Sequence, residues 1–294
     1  MRDMQAAGLA ISEENPFANH VPVLKGRIKS AYAGRIEAMW KKMRDEIIQV
    51  LPPPPEVNPS KQDRVIKIIL ERYKRDAYHS LSIEGYEVTE EFIQKIAEGK
   101  WSPETDAKDH EQKDAMAAKG YHEAFLKVIE SVKNTLRGDS PGKVFENDLQ
   151  DWYRALFSAS VQAGIIQVTD LAGYRNGPVY IKGARHVPPG NKEAVLDSME
   201  TLFQLIKEEE HPGVRAILGH FIFVFIHPYM DGNGRIGRFL LNLMLVSGGY
   251  AWTIIRAENR TQYMQALEAA STEGNIEPFA QFVLLELKYW EKQS

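Results

Sequence analysis

A mainly helical fold carrying one small β-hairpin is the architecture this chain predicts, on three observations. Most segments of its 294 residues place apolar side chains three and four apart, the spacing of a helix with one buried face. Two stretches are apolar almost without interruption: residues 216–226, broken by Gly219 and His220, and residues 239–246, broken by Asn242. Segments of that length with no polar face read as helices covered on all sides. The period changes only once, over 172–189, where turn residues flank Val179-Tyr180-Ile181, a short strand by its composition.

Taken in order, residues 1–25 hold Pro16, Pro22 and little periodicity, and read as an arm. Residues 27–50 space Ile28, Ala31, Tyr32, Ile36, Met39, Met43 and Ile47 between charges, an amphipathic helix. Pro52 to Pro55 make 51–59 an extended, semi-rigid spacer. Helical spacing resumes over 61–79 and leads into Ser80-Leu81-Ser82-Ile83-Glu84-Gly85. Gly85 suits the left-handed stop after a helix, and Ser80 and Glu84 share a face of its last turn. A carboxylate there sits at the unfavourable end of the helix dipole and calls for a cation from elsewhere. Thr89 is placed to cap a helix over 90–98 that Gly99 ends. A connection through Ser102 and Pro103 precedes a long helix to about Val132. Gly138, Pro141 and Gly142 mark 137–143 as a loop. Residues 146–163 form the next helix, with Leu156 and Phe157 inward and Trp152 and Tyr153 as core anchors. The hairpin follows, and a lone hairpin among helices points to something docking on it, with a plain connector hairpin as the alternative. Helices are then expected over 193–209, from Pro212 into the signature described below, over 260–270, and over 276–290. The chain divides by this reading into 1–60 (arm, helix and proline-rich spacer), 61–135 (N-terminal helices) and 136–294 (core with C-terminal helices).

Composition narrows the function classes. A hydrophobic fraction of 44% and charged fraction of 26% are ordinary for a globular chain, and a net charge of -4 gives no broad footprint for nucleic acid or an acidic membrane. With no cysteine, disulfides and thiolate chemistry are excluded, which fits a cytoplasmic location. No run of about 18 apolar residues suggests a membrane span, and the first residues lack the apolar block of a signal peptide.

Between the two buried helices lies His227-Pro228-Tyr229-Met230-Asp231-Gly232-Asn233-Gly234-Arg235-Ile236-Gly237-Arg238. Pro228 forbids a helix through its position and biases His227 away from the αR region. Gly232 and Gly234 let successive N–H groups converge into an anion-binding nest, and a helix starting near Arg235 adds its positive end. Arg235 and Arg238 share one helical face, so the place suits a polyphosphate. Asp231 is an oxygen donor suited to Mg²⁺ beside phosphate, and His227 could accept a proton from a hydroxyl.

This run resembles the Fic family signature, departing from it only at Tyr229, where the family has Phe. Gly234 resembles the AMP-transferring members rather than those with Lys there. Ser80 to Gly85 is similar to the inhibitory motif of Fic proteins that carry their own N-terminal inhibitory helix. The resemblance implies a Fic-type helical bundle and a protein adenylyltransferase that uses ATP and Mg²⁺ to place AMP on a Ser, Thr or Tyr hydroxyl of a target protein. It further implies His227 as base, Asp231 as metal ligand, and Gly232, Asn233, Gly234, Arg235 and Arg238 around the phosphates. Asn242, four residues after Arg238, could reach the nucleotide, and Tyr263 resembles a residue of the family's adenine-side helix, with a plain core tyrosine as the alternative. Glu84 would pair with Arg238 where the γ-phosphate belongs, and Val179, Tyr180 and Ile181 would form a flap that pairs with the target's backbone. AMP removal, or both directions in one enzyme, is an alternative, as is a non-catalytic nucleotide-binding interaction module; a homo-oligomer is compatible with either.

Overall fold

The computed structural model describes residues 29–57, 59–101 and 109–293. The expected arm over 1–25 and the Ser102-Pro103 connection lie outside the described residues. Ten α-helices occur among the described residues: α1 (Ala31–Val50), α2 (Gln62–Ile83), α3 (Glu90–Ala97), α4 (Asp109–Leu136), α5 (Pro141–Gln162), α6 (Lys192–Glu208), α7 (Pro212–Ile226), α8 (Asn233–Ser247), α9 (Arg260–Glu273) and α10 (Glu277–Glu291).

α7 and α8 form the centre, as their unbroken apolar character requires. Every residue of α7 from Ala216 to Phe223 is buried, and α8 is buried from Arg235 to Val246. Gly237 sets their spacing, since a Cβ there would stand 2.9 Å from Val224 Cγ1 and 3.1 Å from His220 Nδ1. The other helices wrap this pair, and one hydrophobic cluster runs from Ile36 on α1 to Trp290 on α10. α4 and α5 cross closely at Gly120, where a side chain would meet the Leu156 carbonyl. Among the described residues no helix is long and apolar enough to cross a membrane.

Two expectations need correction and a third gains detail. α5 begins at Pro141, inside the expected loop, because proline is preorganised for the first helical turn, where its missing N–H costs nothing. The proline run does not stand free: the Tyr250 hydroxyl donates to Pro52 O at 2.8 Å, and Gly249 packs against the Pro55 carbonyl. Val179, Tyr180 and Ile181 are extended but belong to no β-ladder, so the β-hairpin is not formed among the described residues. The segment carries only a turn, Ala184 N donating to Ile181 O, and β-rich composition alone cannot supply a partner strand.

Candidate active site

The site grows from the way α7 ends. His211 Nδ1 accepts from Val214 N at its start, and at its end His227 N still donates to Phe223 O. Pro228 then stops the helix, and His227 turns left-handed, with φ 52 and ψ 59. It is the one non-glycine residue with positive φ among those described. Such a conformation costs on the order of 1–3 kcal/mol and is held only by its surroundings.

Those surroundings are specific. Arg175, 4% exposed, aims its guanidinium at the carbonyls that close α7: Nε donates to His227 O at 2.7 Å and Nη2 to Ile226 O at 3.2 Å, while Nη1 donates to Gly177 O at 2.6 Å. Its own backbone N–H donates to Pro228 O at 2.9 Å. Beyond His227, Asn233 closes the loop on itself, accepting from Tyr229 N and donating to Tyr229 O, each at 2.9 Å. The Tyr229 ring stacks on Tyr153 with centroids 3.7 Å apart, and its buried hydroxyl finds no partner. Gly232, at φ 83, forms the N-cap of α8.

The other wall is the end of α2. Gly85, at φ 87, closes the helix with its N–H on Ser82 O, and Tyr86 N reaches Leu81 O, the paired bonds of a Schellman stop. That fixes the direction of Glu84. Its Oε1 accepts from Arg238 Nη2 at 2.7 Å, while Ser80 receives Arg238 Nε on its hydroxyl (2.9 Å) and Nη2 on its carbonyl (3.0 Å). Burial works to lower the Arg238 pKa, but Glu84 beside it raises it above the ordinary arginine value. The carboxylate also lies over the first turn of α8, since a Cβ on Gly234 would run into Glu84 Oε1. Arg238 Nη1 has no partner. A buried cation with a spare donor reaching back over the first turn of a helix suits an anion, and the Glu84 carboxylate lies against it.

Glu84, Ile181, His227, Gly234, Arg238 and Tyr263 line one cavity of about 150 Å³. That is small beside the roughly 300–1,000 Å³ of ligand pockets, and Glu84 occupies part of its polar end. His186, Met264 and Leu267 contribute to the rest of its wall. Tyr263 is also a core residue, 2% exposed, its hydroxyl 2.8 Å from His220 Nε2.

Other expected residues stand elsewhere. Asn242 is 2% exposed and committed to a chain crossing, donating to Arg238 O and Thr253 O and accepting from Thr253 N; it has nothing left for a nucleotide. The Asn233 side chain is turned back on its own loop, with its oxygen and one N–H committed to the Tyr229 backbone. Arg235 lies between the rings of Tyr86 and Phe157, each 5.2 Å from its guanidinium, and pairs with Asp231 at 3.1 Å rather than lining the cavity. Tyr180 is 79% exposed. Arg175 was missed by sequence reasoning: its partners are carbonyls, which no side-chain pattern marks.

Burial lowers the His227 pKa to about 4, so the imidazole is neutral near pH 7 and able to accept a proton. For Mg²⁺ the fit rests on Asp231, whose side chain is 64% exposed and whose Oδ1 accepts from Gly232 N at 2.6 Å. No cluster of three or more metal-ligating side chains occurs among the described residues. A lone carboxylate beside an anion site cannot cage a cation but suits Mg²⁺ arriving with phosphate oxygens and water.

A family model described as Fic/DOC family matches residues 143–245. Proteins named Protein adenylyltransferase Fic from Drosophila grimshawi and Drosophila melanogaster are 28% and 27% identical over 72% of this chain. The chain spans about two-fifths of those relatives' length, 41% and 40% respectively. In three dimensions it is similar to Fic-1 from C. elegans, with TM-score 0.63, 20% identity, and 89% of this chain and 72% of that chain covered. It is also similar to a Fic-domain signalling protein from Bacteroides thetaiotaomicron, with TM-score 0.59, 19% identity, and 87% and 94% covered. At such identities the structural likeness is one of fold. The His227-to-Arg238 signature is seated between two buried helices, and the match to the Fic/DOC family model, residues 143–245, takes in both.

Proposed function

We propose that this chain is a protein adenylyltransferase held in check by its own Glu84. The observation that carries the reading is the convergence of a neutral imidazole, a helix N-terminus and a buried arginine on one cavity, through His227, Gly234 and Arg238. The relatives named Protein adenylyltransferase Fic favour the same reaction. A Ser, Thr or Tyr hydroxyl of a protein substrate would lose its proton to His227 as its oxygen attacks the α-phosphorus of ATP. The bond from that phosphorus to the bridging oxygen breaks, and pyrophosphate leaves with the electron pair. The α8 N-terminus and Arg238 would compensate phosphate charge, which with positioning supplies most of the catalysis in such transfers. Asp231 would hold Mg²⁺, which when bound neutralises charge between phosphates. Val179, Tyr180 and Ile181 would offer their extended backbone to the substrate segment.

Glu84 inhibits on this reading because its carboxylate occupies the anion site and repels a γ-phosphate there. Incubation with Mg²⁺ and ATP labelled at the α-phosphate is the test. Covalent label should be weak on the parent chain, at least about tenfold stronger on Glu84→Gly, as loss of roughly 1.4 kcal/mol of restraint would give, and absent from His227→Ala/Glu84→Gly. Label that survives loss of His227, or reversible binding alone, would overturn the reading.

A further inference from the structure

We propose that Arg175 is the positioning residue of the candidate base: by donating to the carbonyls of Ile226 and His227 it holds His227 in the left-handed turn from which the imidazole faces the cavity. The inference deepens the adenylyltransferase reading and rests on it for its catalytic meaning. The geometry carries it. Arg175 is fully buried yet makes its bonds to carbonyls rather than to a carboxylate. Two of those carbonyls close α7, so the charge sits at the negative end of that helix, where a cation is favoured.

No other side-chain donor is found on the His227 carbonyl among the described residues, and the backbone of Arg175 binds the next residue's carbonyl, Pro228 O. The strained residue is therefore held on both sides by one arginine from a segment 52 positions away. A hydrophobic contact could fill the same space, but only a fork of donors fixes the direction of successive carbonyls. The direction of those carbonyls is what sets φ and ψ at His227.

Placement of this cation has a second effect, on charge. The charged groups facing the imidazole are Arg175, which works to lower its pKa, and Glu84 from the end of α2 and Asp231 from the signature loop, which work to raise it. Burial is the larger cause of the lowered value, and Arg175 adds to it. A neutral base ready at pH 7 is the result.

Two substitutions separate the fork from the charge. Arg175→Gln removes the charge and keeps a short donor; Arg175→Lys keeps the charge and loses the fork. The His227 imidazole is titrated by NMR, its signal assigned through His227→Ala, and transfer is measured in the Glu84→Gly background. The titration midpoint should rise in Arg175→Gln and stay near the parent value in Arg175→Lys. Both variants should lose about 100-fold in kcat, the size of effect a misplaced catalytic group produces, with KM for ATP changed by less than about threefold. An unchanged midpoint in Arg175→Gln, or undiminished kcat in either variant, overturns the inference. So does failure of both variants to fold by circular dichroism, which would make Arg175 a stability residue. Should Glu84→Gly itself transfer no AMP, the adenylyltransferase reading falls, while the titration still decides whether Arg175 sets His227.

Discussion

Gly234 is the tightest point between the Glu84 carboxylate and the first turn of α8. Any side chain there would strike Glu84 Oε1, and its Cβ would lie 3.2 Å from Arg238 Nη1. Glu84 is the softer neighbour, with 31% of its side chain exposed against 5% for Arg238, so it is the group that gives way. Gly234→Ala should therefore raise auto-modification about tenfold, the equivalent of roughly 1.4 kcal/mol lost from the Glu84–Arg238 contact. The same change in a Glu84→Gly background should give no further rise, and a rise there would mean the methyl acts on the nucleotide instead. This contact shows what sequence makes legible at the scale of residues. His227, Gly234 and Arg238 lie within twelve positions, so turn chemistry and helix periodicity bring them together on paper. Glu84 was reachable because Ser80 to Gly85 resembles the family's inhibitory motif, with a carboxylate at the unfavourable end of a helix dipole. Arg175 carried no such mark, and Asn242 misled because sharing a face with Arg238 does not tell which neighbour claims its amide.

Elements position the site through the end of α2. α2 is tied to the C-terminal segments along its length, and its last turn through Ile83: Arg260 Nε donates to Ile83 O at 2.7 Å, Ala257 N donates to His79 Nδ1 at 3.1 Å, and Arg72 Nη1 donates to Trp252 O at 2.6 Å. The Ile83 carbonyl is one of the orphan acceptors at a helix terminus, so Arg260 closes the turn that carries Glu84. On the proposed autoinhibited reading, release of Glu84 would need a change in the final turn alone, with the rest of α2 staying packed. Arg260→Ala should loosen that turn and raise auto-modification several-fold, an effect of about 1 kcal/mol for one charge-assisted bond. Combined with Glu84→Gly it should add nothing; labelling of the single and double variants in parallel measures both. The helices themselves were legible from periodicity, since burial follows the apolar spacing. Their boundaries were less so at Pro141, where the same residue serves as loop former or first helical residue. The hairpin did not form because the β-rich composition of Val179-Tyr180-Ile181 describes one strand, while a ladder needs a second that composition does not guarantee.

For the whole molecule, burial of ionisable groups makes stability depend on pH in two opposing ways. His220 is fully buried, and burial lowers its pKa to about 4. Between its ordinary value near 6.5 and about 4, the unfolded chain binds a proton that the folded chain refuses, so stability falls as pH falls, by up to about 3 kcal/mol. His227 acts in the same direction. Asp76 opposes them. Its carboxyl accepts from the Tyr121 hydroxyl at 2.8 Å between α2 and α4, and burial raises it to about 6 against the pull of that bond and of Arg238. A folded-state pKa above the unfolded value means the folded chain takes up the proton first, so Asp76 contributes stability at low pH that is lost as pH rises through about 6. The parent chain should therefore lose less stability on acidification than its histidines alone dictate. Asp76→Asn keeps an acceptor for Tyr121 and removes the titration, which makes the acid loss steeper. Urea unfolding at pH 7 and pH 5 measures it: the drop in unfolding free energy between the two should be larger in Asp76→Asn by about 1–2 kcal/mol. An equal drop in both chains would mean that Asp76 stays ionised in the core, paired with Arg238 instead of sharing a proton with Tyr121.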